Sequence, residues 1–203
     1  MEIWKEKSGA LTLELAVKGL TSYGLIEKIK HTLTDAGVKI RMIRAGLIVI
    51  KRPTFFDKVD DILDEWGIVV LSDAERQQIQ QVKEILTNQL EGQALSLLGI
   101  VRNIRSQTRC SYQELSTLFL SVEGMSLGRY ALLQQLDKAI ERLVYTNATV
   151  SEIAYRTGYR NENQLIRQLE TERGLPITHF LTLRAIHLKS SDNRIKEMSI
   201  SAN

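Results

Sequence analysis

The sequence predicts an α+β domain followed by an all-α one. Between Ala10 and Leu71 the hydrophobic spacing switches between period two and the helical period in the order βαββαβ. Beyond a helix beginning near Ser72, only helical spacing remains. That helical half resembles itself, with Gly124 and Gly174 marking an offset of 50 residues.

In chain order, ALTLELAV (Ala10 to Val17) alternates apolar and polar residues as a half-buried strand does. From Ser22 to Ala36 helical spacing places Leu25, Ile26, Ile29 and Leu33 on one face, and Gly37 ends the helix. VKIRMI (Val38 to Ile43) and LIVI (Leu47 to Ile50) form a hairpin across Arg44, Ala45 and Gly46. Pro53 interrupts the extended run. A second helix from Thr54 directs Phe55, Val59, Ile62, Leu63 and Trp66 inward, and GIVVL (Gly67 to Leu71) supplies a last short strand. This split order is that of a ferredoxin-like sandwich. Ser72 and Asp73 cap a connecting helix that runs through Arg76, Ile79, Val82, Ile85 and Leu86 toward Gly92. The expected organisation is a ferredoxin-like βαββαβ domain over 1–72, a connecting helix over 73–91 and a helical domain over 92–188. The polar, aperiodic stretch from Ser190 to Asn203 leads to a flexible tail over 189–203.

Composition excludes several classes. The 203 residues are 43% hydrophobic and 25% charged, enough for a packed core and ordinary for a globular chain. The net charge of +3 is only mildly basic, and the excess lies beyond residue 80, where 15 Lys and Arg face 12 Asp and Glu. The start lacks the basic segment and apolar core of a signal peptide, and no run spans a bilayer, so a cytoplasmic location is expected. A single cysteine, Cys110, rules out an internal disulfide. It reads more readily as a small packed residue than as a redox sensor.

In the helical half Leu115 pairs with Leu165, Phe119 with Leu169, Leu127 with Ile177, Ile100 with Val150 and Ile104 with Ala154 at the same offset. Each repeat has a shorter helix, a break, a longer helix, a glycine that ends it and an apolar closing segment. Ser111-x-x-Glu114 and Thr149-x-x-Glu152 are capping boxes, Asn161 caps another helix, and Gly158 suits a tight turn. A plain repeat of helical hairpins would generate similar spacing.

Two stretches carry a closer likeness. TVSEIAYRTGYRNENQLIRQLETERGLPITHF (Thr149 to Phe180) resembles the C-terminal signature of the AraC/XylS family of transcription regulators. SYQELSTLFLSVEGMSLGRYALLQQLDKAIERL (Ser111 to Leu143) resembles that family's first helix-turn-helix and linker helix, so the likeness covers Leu95 to Leu188. Pro176 departs from the pattern, standing one place early. The N-terminal half resembles the heavy-metal-associated module that precedes such domains in some regulators. Ser22 and Leu25 stand where that module has its two metal-binding thiols, and a hydroxyl and an alkyl group cannot replace thiolates. No metal site and no cofactor are therefore expected.

The resemblance implies two recognition helices in successive major grooves, roughly 10 bp apart, so that one chain reads an asymmetric site on double-stranded DNA. It makes Ser111 to Thr117 the first reading surface and Asn161 to Gln168 the second. The base-reading candidates are Gln113, Ser116, Thr117, Asn161, Asn163, Gln164, Arg167 and Gln168. Gln113, Asn163 and Gln164 suit adenine, while Arg167 suits guanine or phosphate. Ser111, Arg105, Arg109, Arg129, Arg156 and Arg160 are phosphate candidates, with Arg102 beside them. Each of these arginines reads equally as a solvated surface charge, and Tyr112 either touches DNA or covers a helix end.

The expected function is sequence-specific transcription regulation, with an N-terminal domain that senses an effector, dimerises through residues 10–71 or binds another protein. The alternative is a protein-interaction adaptor whose DNA surface has decayed, since Glu162, Glu170 and Glu172 bring negative charge where phosphate would lie. No Gly-rich phosphate loop, HExxH or GxSxG motif is present, His31, His179 and His187 are scattered, and no enzyme is expected. Asp60-Asp61 and Asp64-Glu65 fall on the polar side of a helix.

Overall fold

The computed structural model describes residues 12–51, 56–92 and 95–200. Strand β1 (Thr12–Lys18) is followed by helix α1 (Tyr23–Asp35), strands β2 (Ile40–Arg44) and β3 (Leu47–Lys51), helix α2 (Phe56–Glu65) and strand β4 (Val69–Val70). Every strand pair is antiparallel, and the sheet order is β2-β3-β1-β4. β1 pairs with β3 from Thr12 opposite Lys51 to Ala16 opposite Leu47, and its end pairs with β4. Alternation explains this register: Leu15 and Val17 of β1 with Ile48 and Ile50 of β3 point to one face, where Ile29, Leu33, Val59 and Leu63 of the helices seal them from water. A register irregularity falls between Ile40 and Met42 on the outer strand β2, and Met42 is 45% exposed.

Some details differ from the sequence-based expectation. Trp66 was expected inward, yet it stands 36% exposed just past the end of α2, with the Lys28 ammonium 5.9 Å from its ring centroid. A residue where the chain turns away from its helix no longer shares the helix's apolar face, and an indole tolerates a wet edge beside a cation. Phe55 lies outside the described residues. The last strand has shrunk to two residues, while Ile68 and Leu71 beside it are buried.

Among the described residues seven helices follow: α3 (Asp73–Gly92), α4 (Leu97–Thr108), α5 (Tyr112–Glu123), α6 (Leu127–Tyr145), α7 (Val150–Arg156), α8 (Glu162–Arg173) and α9 (Ile177–Ile200). Ser190 to Ile200, which read as an aperiodic tail, continues α9, because a helix already seated by Phe180 propagates at little cost per residue. Residues 201–203 lie outside the described residues.

The helices do not form one separate block. The chain divides into two compact units, Met1–Glu84 with Arg105–Tyr130 and Ile85–Ile104 with Ala131–Asn203. In the first, α5 is seated on the loops at one end of the sheet. The Gly19 N–H donates to the Ser121 carbonyl at 2.8 Å, and Lys83 pairs with Glu123 at 2.5 Å. Gly46 lies directly under Val122 and Thr21 against Gly124. The start of α3 is tied to the sheet by Lys18, which meets Glu75 at 2.7 Å. In the second unit Leu136, Ala139 and Leu143 of α6 pack with Ile153 and Ala154 of α7, Leu165 and Leu169 of α8 and Phe180 of α9.

Candidate nucleic-acid interface

The second helices of the two repeats, α5 and α8, are built alike, although in the first repeat the preceding helix α4 is as long as α5, not shorter as expected. Both are 12 residues long, and each begins on a capping side chain: the Ser111 hydroxyl accepts the Glu114 N–H and the Asn161 amide oxygen accepts the Gln164 N–H. Both end on a glycine in the left-handed region, Gly124 at φ 71 and Gly174 at φ 66. Within them Leu115 and Phe119, like Leu165 and Leu169, are buried, and the first four residues from each cap are exposed. An exposed first turn carried on a buried stripe is what a helix needs to be held from behind while its N-terminal end stays free.

On α5 the exposed Gln113 and Thr117 and the half-buried Ser116 occupy one face by their spacing of three and four. On α8 Gln164, Arg167, Gln168 and Thr171 line a shallow open hollow of about 340 Å³, so three of the predicted residues are brought together. Asn163 is exposed, and its carbonyl receives the Arg167 Nε–H at 3.3 Å.

Several candidates already have local partners. Gln164 Oε1 accepts the Arg160 backbone N–H at 2.8 Å, so a two-bonded grip on adenine would require that bond to break. Asn161 spends its amide oxygen on its own helix, and Gln168 donates to Glu172 at 3.0 Å. Ser111 likewise serves first as a cap. Tyr112 places its hydroxyl against Gly128, covering the start of α6. Arg102, Arg105, Arg109, Arg129, Arg156 and Arg160 are all exposed, and Arg142 is half-buried.

The capping boxes have an electrostatic signature. The Ser111 hydroxyl, then its N–H, hold the Glu114 carboxyl below its ordinary range, and the Thr149 N–H, then its hydroxyl, do the same for Glu152. Both carboxylates sit in the first turn of a helix, where negative charge is favoured.

Other positioning groups gave no sequence signal. Gln135, a buried polar residue of α6, donates to the Thr157 carbonyl at 2.6 Å and to the Leu95 carbonyl at 3.3 Å, fastening the α7–α8 turn. Arg173 at the end of α8 pairs with Asp137 of α6. Burial, then the charges of Glu172 and Asp137, push the Tyr159 phenol far up, and it packs as a neutral ring. Such contacts join positions tens of residues apart, which periodicity does not register.

Ser22 and Leu25, at the places of the two metal thiols in the resembled module, form an N-cap: the Ser22 hydroxyl accepts the Leu25 N–H at 3.3 Å. Among the described residues no cluster of three His, Cys, Asp or Glu side chains is disposed to hold a metal ion. Cys110 is half-buried, with Gln78 Nε2 3.5 Å from its sulfur. Among the described residues no helix is long and apolar enough to cross a membrane.

Residues 106–183 match the model of a family described as a helix-turn-helix domain. No curated protein matches the chain. Similar solved structures include the C-terminal domain of the two-component response regulator yesN from Fusobacterium nucleatum, at 21% identity over 49% of this chain and 96% of that one, with a TM-score of 0.42. A transcriptional regulator from Chromobacterium violaceum, described as an AraC-type DNA-binding domain-containing protein, is 17% identical over 54% of this chain and 96% of its own, with a TM-score of 0.45. The DNA-binding domain of the global transcriptional factor AdpA in complex with a target DNA is 19% identical over 50% of this chain and 90% of its own, with a TM-score of 0.44.

Proposed function

We propose that the chain is a sequence-specific transcription regulator of the AraC/XylS type that reads an asymmetric duplex site with α5 and α8 in successive major grooves. The observation that carries this reading is the repeated design of those helices within a stretch that matches a helix-turn-helix domain: the same length, a polar side-chain cap at the start, a left-handed glycine at the end and the same alternation of buried and exposed positions. Gln113, Ser116 and Thr117 on α5 and Asn163, Arg167 and Gln168 on α8 face base edges, with Arg167 the strongest contact. Asn161 and Gln164 act through their caps, and Ser111 with Arg105, Arg109, Arg129, Arg156 and Arg160 meets phosphates. The N-terminal part, in its βαββαβ order, is a ferredoxin-like domain that has lost the metal chemistry of its kind. Its outer strand β2, with Met42 exposed, supports a homodimer that light scattering at high concentration would reveal.

Fluorescence anisotropy of a labelled duplex at several salt concentrations tests the reading. Affinity falling linearly on a logarithmic salt scale, with a preference for one sequence kept throughout, supports it. Salt-insensitive or absent binding favours the adaptor reading, for which the exposed Glu162 and Glu170 on α8 speak.

A further inference from the structure

We propose that a cleft in the first compact unit, between the outer face of the sheet and the start of α3, binds a small organic carboxylate with a short apolar body. The cleft encloses about 290 Å³, at the lower end of ligand sites, which suits a modest metabolite rather than a nucleotide cofactor. Ala16 and Leu47 of the sheet, Leu71 beside Ala16 and Ile79 of α3 make its apolar lining.

The charged groups give the ligand its sign. Arg76 lines the cleft half-buried, and its Nε is sealed from solvent with no hydrogen-bond partner among the described residues. A desolvated guanidinium N–H without an acceptor is costly, and a carboxylate is the group whose two oxygens match its fork. Arg44 at the hairpin end reaches the Ala45 carbonyl at 3.4 Å and meets no carboxylate among the described residues. Against these cations, Glu123 is neutralised by Lys83 at 2.5 Å, which leaves Glu14, exposed on the sheet, as the opposing charge. The balance among Arg44, Arg76 and Glu14 is positive and favours a single carboxylate.

The location adds a consequence that rests on the regulator reading. Glu123 is the last residue of α5, so an anion that competes for Lys83 loosens the tie holding that helix to α3. Effector and first reading helix then share one wall.

The test is calorimetric titration of the full chain, without DNA and at fixed ionic strength, with hexanoate, hexanol and inorganic phosphate. Hexanoate should saturate, while hexanol and phosphate should bind at least about tenfold more weakly, since one lacks the charge and the other the apolar body. Arg76→Gln should weaken hexanoate by about tenfold without lowering the melting temperature, because no hydrogen bond is lost; Arg41→Gln, an exposed arginine outside the cleft, should change nothing. Failure of hexanoate to saturate, equal binding of hexanol or phosphate, or full affinity in Arg76→Gln would overturn the site. The comparison of hexanoate with hexanol decides the matter even if the variant does not fold. Because no DNA is present, a negative result leaves the regulator reading standing, and absent DNA binding leaves the site standing.

Discussion

The first and second repeats share local design but not surroundings, and the difference separates what a helix encodes by itself from what its neighbours impose. α5 and α8 start and stop in the same way, yet the end of α5 is built into the sheet domain through Gly19, Thr21, Lys83 and Glu123. The end of α8 is free at Gly174, where nothing lies within 4 Å of an added Cβ, and one ion pair from Arg173 holds its last turn. The preceding turns diverge as well. The second repeat uses Gly158 at φ 81, whereas the first places Arg109, the one non-glycine residue with positive φ among those described, at 56. Read side by side, the first repeat is an extension of the α/β domain and the second a self-contained module.

The largest effect is expected at Gly158. A side chain there meets the Leu95 carbonyl and Gln135 Nε2 in a left-handed backbone, so Gly158→Ala should cost about 3 kcal/mol in chemical denaturation. It should also release the Gln135 hydrogen bond to Thr157.

Gly124→Ala and Gly174→Ala sharpen the contrast, since both pay the same backbone strain. Only the first crowds a neighbour, Thr21 at 3.2 Å. The expected losses are about 2 kcal/mol at Gly124 and about 1 kcal/mol at Gly174, and equal values would mean that α5 is not seated on the sheet in solution.

A smaller and symmetric effect is expected at the caps. Ser111→Ala and Asn161→Ala should each lower stability by about 1 kcal/mol, because both remove one acceptor from a helix start.

The smallest effect is acid sensitivity. The hydrogen bond from Lys18 is the main cause that holds Glu75 below its ordinary 4.5. A depressed carboxylate contributes stability above its unfolded value and loses it as pH falls through the folded one. Acid titration followed by amide exchange should therefore loosen the start of α3 below about pH 4.5, and Lys18→Met should weaken that step, leaving the part due to the Ser72 hydrogen bonds. The capping glutamates Glu114 and Glu152 fade over the same range, one in each repeat.

What the sequence made legible follows from the range of the forces involved. Caps, helix-ending glycines and the alternation of β1 and β3 are set within a few residues, so Ser111, Asn161, Gly124 and Gly174 were readable from spacing alone. Trp66 was misplaced because periodicity continues past the point where α2 stops. The cut between compact units was invisible, since it depends on Ser121 meeting Gly19 across a hundred residues of chain. On α5 and α8, spacing identified exposed polar positions but not that Gln164 spends hydrogen-bonding capacity on the turn before its helix and Gln168 within it.

In the proposed function α8 reads base edges through Arg167. Its most direct test is selection from a random duplex pool by the full chain, followed by binding of the enriched sequence with Arg167→Ala alongside. An enriched two-part motif is expected, with halves about one helical turn apart, and a loss of about 1–3 kcal/mol in Arg167→Ala confined to one half-site. No enriched sequence, or one bound equally well by Arg167→Ala, would contradict it.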